Sequence, residues 1–211
     1  MDVFTIDPEA PEPAELERAA AALHLGKVLA FPTETYYGLA ADAGNDRALA
    51  SLHEAKGRPA GSPILLLLAS VDQIDAVTPS RPPGLARLAA AFWPGPLTIV
   101  LSARPELSSL LTAGTGTIGV RVPGLPLARA LPAALGRPIT GTSANRSGES
   151  PARTAAEARA ALEGRIDGIV DGGTTPGGAP STVIDLTSGA PRLVRAGAVP
   201  FDRVLAALGE R

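Results

Sequence analysis

Apolar and polar positions along the chain alternate between a helical and an extended period. Over residues 16–25 apolar side chains recur at helical spacing, and Gly26 follows where helices favour a left-handed stop. Residues 28–31 form a short apolar run closed by Pro32, which predicts a strand. Asn45 caps a second helix that runs to Lys56, with Leu49, Leu52 and Ala55 on one face and Gly57 and Pro59 beyond it. Residues 64–68 read as a strand buried on both faces, and 70–77 and 85–92 as helices. Trp93-Pro94-Gly95-Pro96 is a turn. Strands are predicted over 97–101, 118–122 and 139–142, with a helix over 127–135. Thr154 and Glu157 form a capping box at the start of a helix over 154–162, each side chain bonding the other's backbone amide. Strands at 169–170, 183–186 and 193–194 and a helix from Phe201 close the chain.

Helices alternate with strands throughout, so the predicted fold is α/β, with helices packed on a sheet. The β-rich spacing near the end favours a mixed sheet over a parallel one. No internal repeat or linker divides the chain, and residues 1–211 are read as one domain.

Composition narrows the chemistry. The longest apolar run, residues 64–69, is too short to span a membrane. The first residues carry acids and prolines instead of a cationic start and an apolar stretch, and a cytoplasmic location is expected. There is no cysteine, and His24 and His53 both lie in helical stretches, which leaves a zinc site or a Ser-His-Asp triad without its parts. Nineteen cations against twenty-one anions give a net charge of -2, too balanced for a nucleic-acid coat. Only Lys27 and Lys56 are lysines.

Gly114-Thr115-Gly116-Thr117-Ile118-Gly119 spells a dinucleotide fingerprint, but strand-like Val120-Arg121-Val122 follows where a helix is required, so the match is accidental. Four loops carry more. Pro32-Thr33-Glu34-Thr35-Tyr36-Tyr37-Gly38 packs hydroxyls and a carboxylate into a turn, as either a capping turn or a substrate contact. Lys56-Gly57-Arg58-Pro59 sets an ammonium and a guanidinium at a helix C-terminus, as either a cap or a phosphate clamp. Thr140 to Gly148 ends a strand in hydroxyls, amides and two glycines, either a solvated turn or exposed N–H groups suited to an anion. Residues 171–181, nearly all Gly, Thr, Pro and Ser, form a surface loop or a lid.

In this order the loops resemble the YrdC-type threonylcarbamoyl-AMP synthase family. The resemblance rests on Pro32 to Leu39, Lys56 to Pro59, Trp93 to Pro96, Ser143 to Asn145 and Ser181-Thr182, and extends to Arg195-Ala196-Gly197. It implies a twisted mixed sheet flanked by helices, with a large concave groove lined by these loops. It implies that threonine takes up bicarbonate to form a carbamate. The carbamate attacks the α-phosphorus of ATP and releases pyrophosphate, the first step of tRNA threonylcarbamoyladenosine formation. By position, Thr35, Arg121 and Ser181, with the backbone near Gly141, are expected to hold threonine. Lys56, Arg58, Ser62, Thr117, Ser143, Asn145, Ser150 and Arg195 are expected to hold ATP, with Lys56 and Arg58 as the catalytic cations. Magnesium is expected on the ATP phosphates. Leu67 stands where many relatives have histidine. Fourteen residues follow Gly197, so the further C-terminal domain of longer relatives is not expected.

Expected partners are ATP, threonine, bicarbonate and downstream transfer proteins, with at most weak direct tRNA binding and no membrane contact. Two alternatives stay open: a non-catalytic RNA-binding module and a carbamoyl-transferring paralogue. A threonine- and bicarbonate-dependent release of pyrophosphate separates them from the synthase.

Overall fold

The computed structural model describes residues 1–57 and 62–209; Arg58 and Pro59 lie outside them. Local chemistry sets the helix ends. The first helix, α1 (Pro13–His24), opens on a proline whose missing N–H is an orphan at that position anyway. In α2 (Asp46–Lys56) the Asn45 side chain accepts from the Ala48 amide at 3.2 Å. Gly57 ends that helix at φ 58°, a left-handed conformation that costs other residues strain. Helices α3 (Leu85–Phe92), α4 (Ser109–Thr112), α5 (Pro126–Leu135), α6 (Ala155–Leu162) and α7 (Phe201–Leu208) complete the helical layer.

The strands form two sheets. In the first, β1 (Asp2–Thr5), β9 (Gly168–Asp171), β2 (Leu29–Pro32), β3 (Tyr37–Ala40) and β8 (Thr142–Ser143) lie side by side in that order. The second runs β11 (Arg192–Arg195), β10 (Thr182–Asp185), β5 (Leu97–Ser102), β6 (Thr117–Arg121), β4 (Leu66–Leu67), β7 (Ile139–Thr140). Parallel and antiparallel pairs occur in both, so the fold is the expected α/β class with twisted mixed sheets flanked by helices.

Alternation along β2 joins the layers. Ala30 belongs to the large cluster shared by both sheets and α2, α3 and α6, while Leu29 and Phe31 face a second cluster with α1 and α5. In β4, Leu66 and Leu67 are both fully buried, one in each cluster, as the continuous apolar run over 64–68 implied.

Two local expectations change. Residues 139–142 are not one strand: β7 belongs to the second sheet and β8 to the first, and the chain crosses between them at Gly141. A Cβ at Gly141 would lie 2.7 Å from Leu67 Cγ and 2.9 Å from Leu65 Cδ1, so the crossing passes where only a glycine fits. Residues 71–76 are helical as expected, in the 3₁₀ form, because Ile74 is their one buried side chain and a short segment anchored by Ser70 has no apolar stripe to extend it. The capping box is displaced: Thr154 Oγ1 accepts from the Glu157 amide, but Glu157 Oε2 accepts from the Arg153 amide at 2.7 Å instead of from Thr154.

Candidate active site

The loop between β2 and β3 is a tight turn in which the Thr33 hydroxyl and amide both donate to the Tyr36 carbonyl, at 2.7 and 3.1 Å. Tyr37 then enters β3, where its hydroxyl donates to the Gly173 carbonyl at 2.7 Å and accepts from the Gly172 amide at 3.3 Å. Burial pushes the Tyr37 phenol up to about 12, so it stays a neutral donor at ordinary pH. Farther along, the Thr175 amide donates to the Arg153 carbonyl and the Gly177 amide to the Thr35 carbonyl, each at 2.8 Å. The Gly- and Pro-rich segment over 171–181 is therefore fastened to the first motif at several points, Thr35 among them.

Arg121, at the end of β6, is buried, and its Nη1 donates to Glu34 Oε1 at 3.0 Å. Burial is the largest influence on its pKa and lowers it. Glu34 opposes that shift and the like charge of Arg195 adds to it. Glu34 had no expected role. The contact joins positions 87 residues apart, and only the unusual carboxylate in a hydroxyl-rich loop hinted at it.

Ser181 and Arg195 come together. The Arg195 guanidinium donates twice to the Ser181 carbonyl and once to Ser181 Oγ, at 2.9–3.3 Å. Ser181 Oγ also lies 2.9 Å from Oγ1 of Thr98, a buried β5 residue without a sequence signal of its own. Burial lowers the Arg195 pKa. Gly197 explains the end of this motif: an added Cβ would strike the Pro180 carbonyl oxygen and lie 2.5 Å from both Ser181 C and Thr182 N. These are backbone atoms with little room to move. Gly197→Ala is expected to destabilise the protein by about 1–3 kcal/mol, and to impair substrate use beyond that by displacing Ser181. A melting temperature and steady-state kinetics unchanged from wild type would show that β10 yields freely.

Lys56, Ser143 and Asn145 form the third group. Lys56 is buried, and its ammonium donates to the Ser143 carbonyl at 2.5 Å, the Asn145 carbonyl at 2.9 Å and Asn145 Oδ1 at 3.4 Å. The Ser147 amide returns to the Lys56 carbonyl at 3.0 Å. The lysine thus organises the Ser143–Asn145 loop instead of standing as a solvated cap. The Asn145 amide group donates to the Arg146 and Glu149 carbonyls, which draws the chain toward Ser150. That loop also pairs with the first motif, Gly38 with Ser143, and the Ala144 amide donates to the Tyr37 carbonyl at 2.8 Å.

Ile139 sits across β4 from Arg121, since Leu67 pairs with both, and Gly141 lies beside Leu65, two residues back along the same segment. The Gly141 amide donates to the Leu65 carbonyl at 3.0 Å. Thr117 opens β6, with Oγ1 2.9 Å from Thr115 Oγ1. Ser62 is half-buried, and Arg58 lies outside the described residues. Among the described residues no three His, Asp or Glu side chains gather as a metal site, and no helix is long and apolar enough to cross a membrane. A shallow depression of about 310 Å³ between α1 and α5 shares no residue with the site.

The loops of this α/β scaffold bring buried cations, hydroxyls and a lysine-organised turn to the ends of paired strands, groups of the kind that bind small anionic substrates. The chain belongs to the Sua5/YciO/YrdC family, whose model, described as "Telomere recombination", matches residues 21–197. The threonylcarbamoyl-AMP synthase of Bacillus subtilis (strain 168) is 41% identical over 196 residues, which cover 92% of this chain and 57% of that protein. The crystal structure of P. abyssi Sua5 complexed with L-threonine is similar with a TM-score of 0.93 and 38% identity, over 100% of this chain and 62% of that one. E. coli YciO is similar with a TM-score of 0.86 and 29% identity, over 97% of this chain and 100% of its own. The chain thus spans 57% of the length of the Bacillus relative.

Proposed function

We propose that this chain is a threonylcarbamoyl-AMP synthase. Threonine and bicarbonate give a carbamate and water, and the carbamate oxygen attacks the α-phosphorus of ATP, expels pyrophosphate and leaves threonylcarbamoyl-AMP. The observation that carries this reading is the set of bonds from Arg195 to Ser181. They put a cation suited to phosphate against a hydroxyl suited to the amino acid, and an adenylation needs its two substrates in contact. The named relatives and the threonine bound to P. abyssi Sua5 support the same reading.

Thr35, Arg121, Ser181 and the backbone near Gly141 hold threonine in this scheme. Lys56, Arg58, Ser62, Thr117, Ser143, Asn145, Ser150 and Arg195 surround ATP. The carbamate is already an anion, so the step needs alignment and charge neutralisation more than a general base. Arg58 and Arg195 suit that task, with Lys56 shaping the loop beside the nucleotide. Magnesium would come with the ATP phosphates and would help neutralise their charge.

Pyrophosphate release from ATP is expected only when threonine and bicarbonate are both supplied. Release indifferent to threonine contradicts the reading and favours a carbamoyl-transferring relative. Further proteins pass the product to tRNA. With a net charge of -2 and few aromatic residues, the chain itself is expected to bind tRNA weakly and to lose that binding near physiological salt. Tight binding that survives a salt titration would show a separate nucleic-acid surface.

A further inference from the structure

Among the described residues, the buried side-chain polar atoms without a partner are Glu34 Oε2 and Arg121 Nε. They belong to one ion pair, and one is an acceptor and the other a donor. Leaving either unpaired is costly, so their coincidence asks for a ligand that presents the opposite pattern. A carboxylate complements the arginine and a cationic N–H group complements the glutamate. An α-amino acid carries both on a single carbon, close enough to meet two side chains that already touch at 3.0 Å.

We infer that Glu34 selects for a zwitterion, taking the substrate's α-ammonium on Oε2 while Arg121 takes its carboxylate. The inference rests on the amino-acid site proposed above and adds a residue to it. Charge supports it. Arg195 is near enough to disfavour the charge on Arg121. Without Glu34 they would make an anion site that prefers a plain carboxylate to an amino acid. One glutamate turns that preference around. Its side chain keeps 20% exposure on a turn, whereas Arg121, at 7%, is held on β6, so Glu34 is the member that swings to meet a ligand.

The test is calorimetric binding of L-threonine and of 3-hydroxybutyrate, the same molecule without its amino group, to the wild type, Glu34→Gln and Glu34→Asp. The wild type is expected to prefer threonine by about tenfold to a hundredfold, the scale of a hydrogen bond to a charged group. Glu34→Gln should lose that preference by weakening threonine while leaving 3-hydroxybutyrate equal or tighter. Glu34→Asp, which keeps the charge, should retain part of the preference. If Glu34→Gln weakens both ligands equally, the glutamate only props Arg121 and the inference falls. It falls too if the preference is intact in Glu34→Gln. Should that variant not fold, equal binding of the two ligands by the wild type overturns the inference, and a preference lost in folded Glu34→Asp supports it. Threonine that fails to bind the wild type at all removes the proposed function as well.

Discussion

Arg121→Ala is expected to raise the threonine requirement by about a hundredfold or more while the ATP requirement moves only a few-fold. The arginine is buried at the end of β6 and donates to Glu34. Its removal takes away the cation for threonine's carboxylate and strands Glu34 beside protein. Breaking a buried pair by deleting one partner costs roughly 3–5 kcal/mol, so the variant should also melt well below the wild type. Adding Glu34→Gln to Arg121→Ala should recover part of that stability without recovering threonine use. Steady-state kinetics in both substrates and thermal melts of the two variants check this. A rise in the ATP requirement with threonine use unchanged would mean that Arg121 serves the nucleotide.

Lys56→Met should be nearly as damaging, through a different route. Methionine fills a similar volume but leaves the Ser143 and Asn145 carbonyls without the ammonium that they share. Losing a buried charged donor with several acceptors is expected to cost on the order of 3 kcal/mol. For a chain of this size that is roughly 6–12 °C in melting temperature. The Ser143–Asn145 loop would lose its shape, so ATP use should fall by about a hundredfold while threonine affinity in the absence of ATP stays close to wild type. A variant with normal stability and impaired ATP use alone would place Lys56 on the phosphates and not on the loop.

The legible features of the sequence were those fixed by local chemistry. Asn45 and Gly57 bound α2, and the prolines and glycine after Trp93 mark a turn, because each acts on its own neighbours. The order of the loops identified the family for the same reason. Contacts between distant segments were not legible. Gly141 turns the chain from one sheet to the other because Leu65 and Leu67 crowd it, and no reading of 139–142 alone contains those leucines. Lys56 reads as a helix cap or a phosphate clamp, and its hold on the next loop is invisible because the Ser143 and Asn145 carbonyls that bury it lie 87 and 89 residues away. Glu34 and Thr98 were passed over because their meaning depends on Arg121 and Ser181, their distant partners. The short strands β1 and β3 were missed as well: β1 is held by pairing with β9, and β3 lies inside a motif that reads as a loop.

The central claim is that carbamate formation and adenylation take place on this chain with threonine as the amino acid. Incubating the protein with ATP, L-threonine and isotopically labelled bicarbonate, then weighing the nucleotide products by mass spectrometry, tests it directly. The expected result is an adenylate whose mass contains AMP, threonine and one labelled carbon, absent when any of the three substrates is left out. Pyrophosphate release accompanied by an adenylate lacking threonine or the label would contradict it.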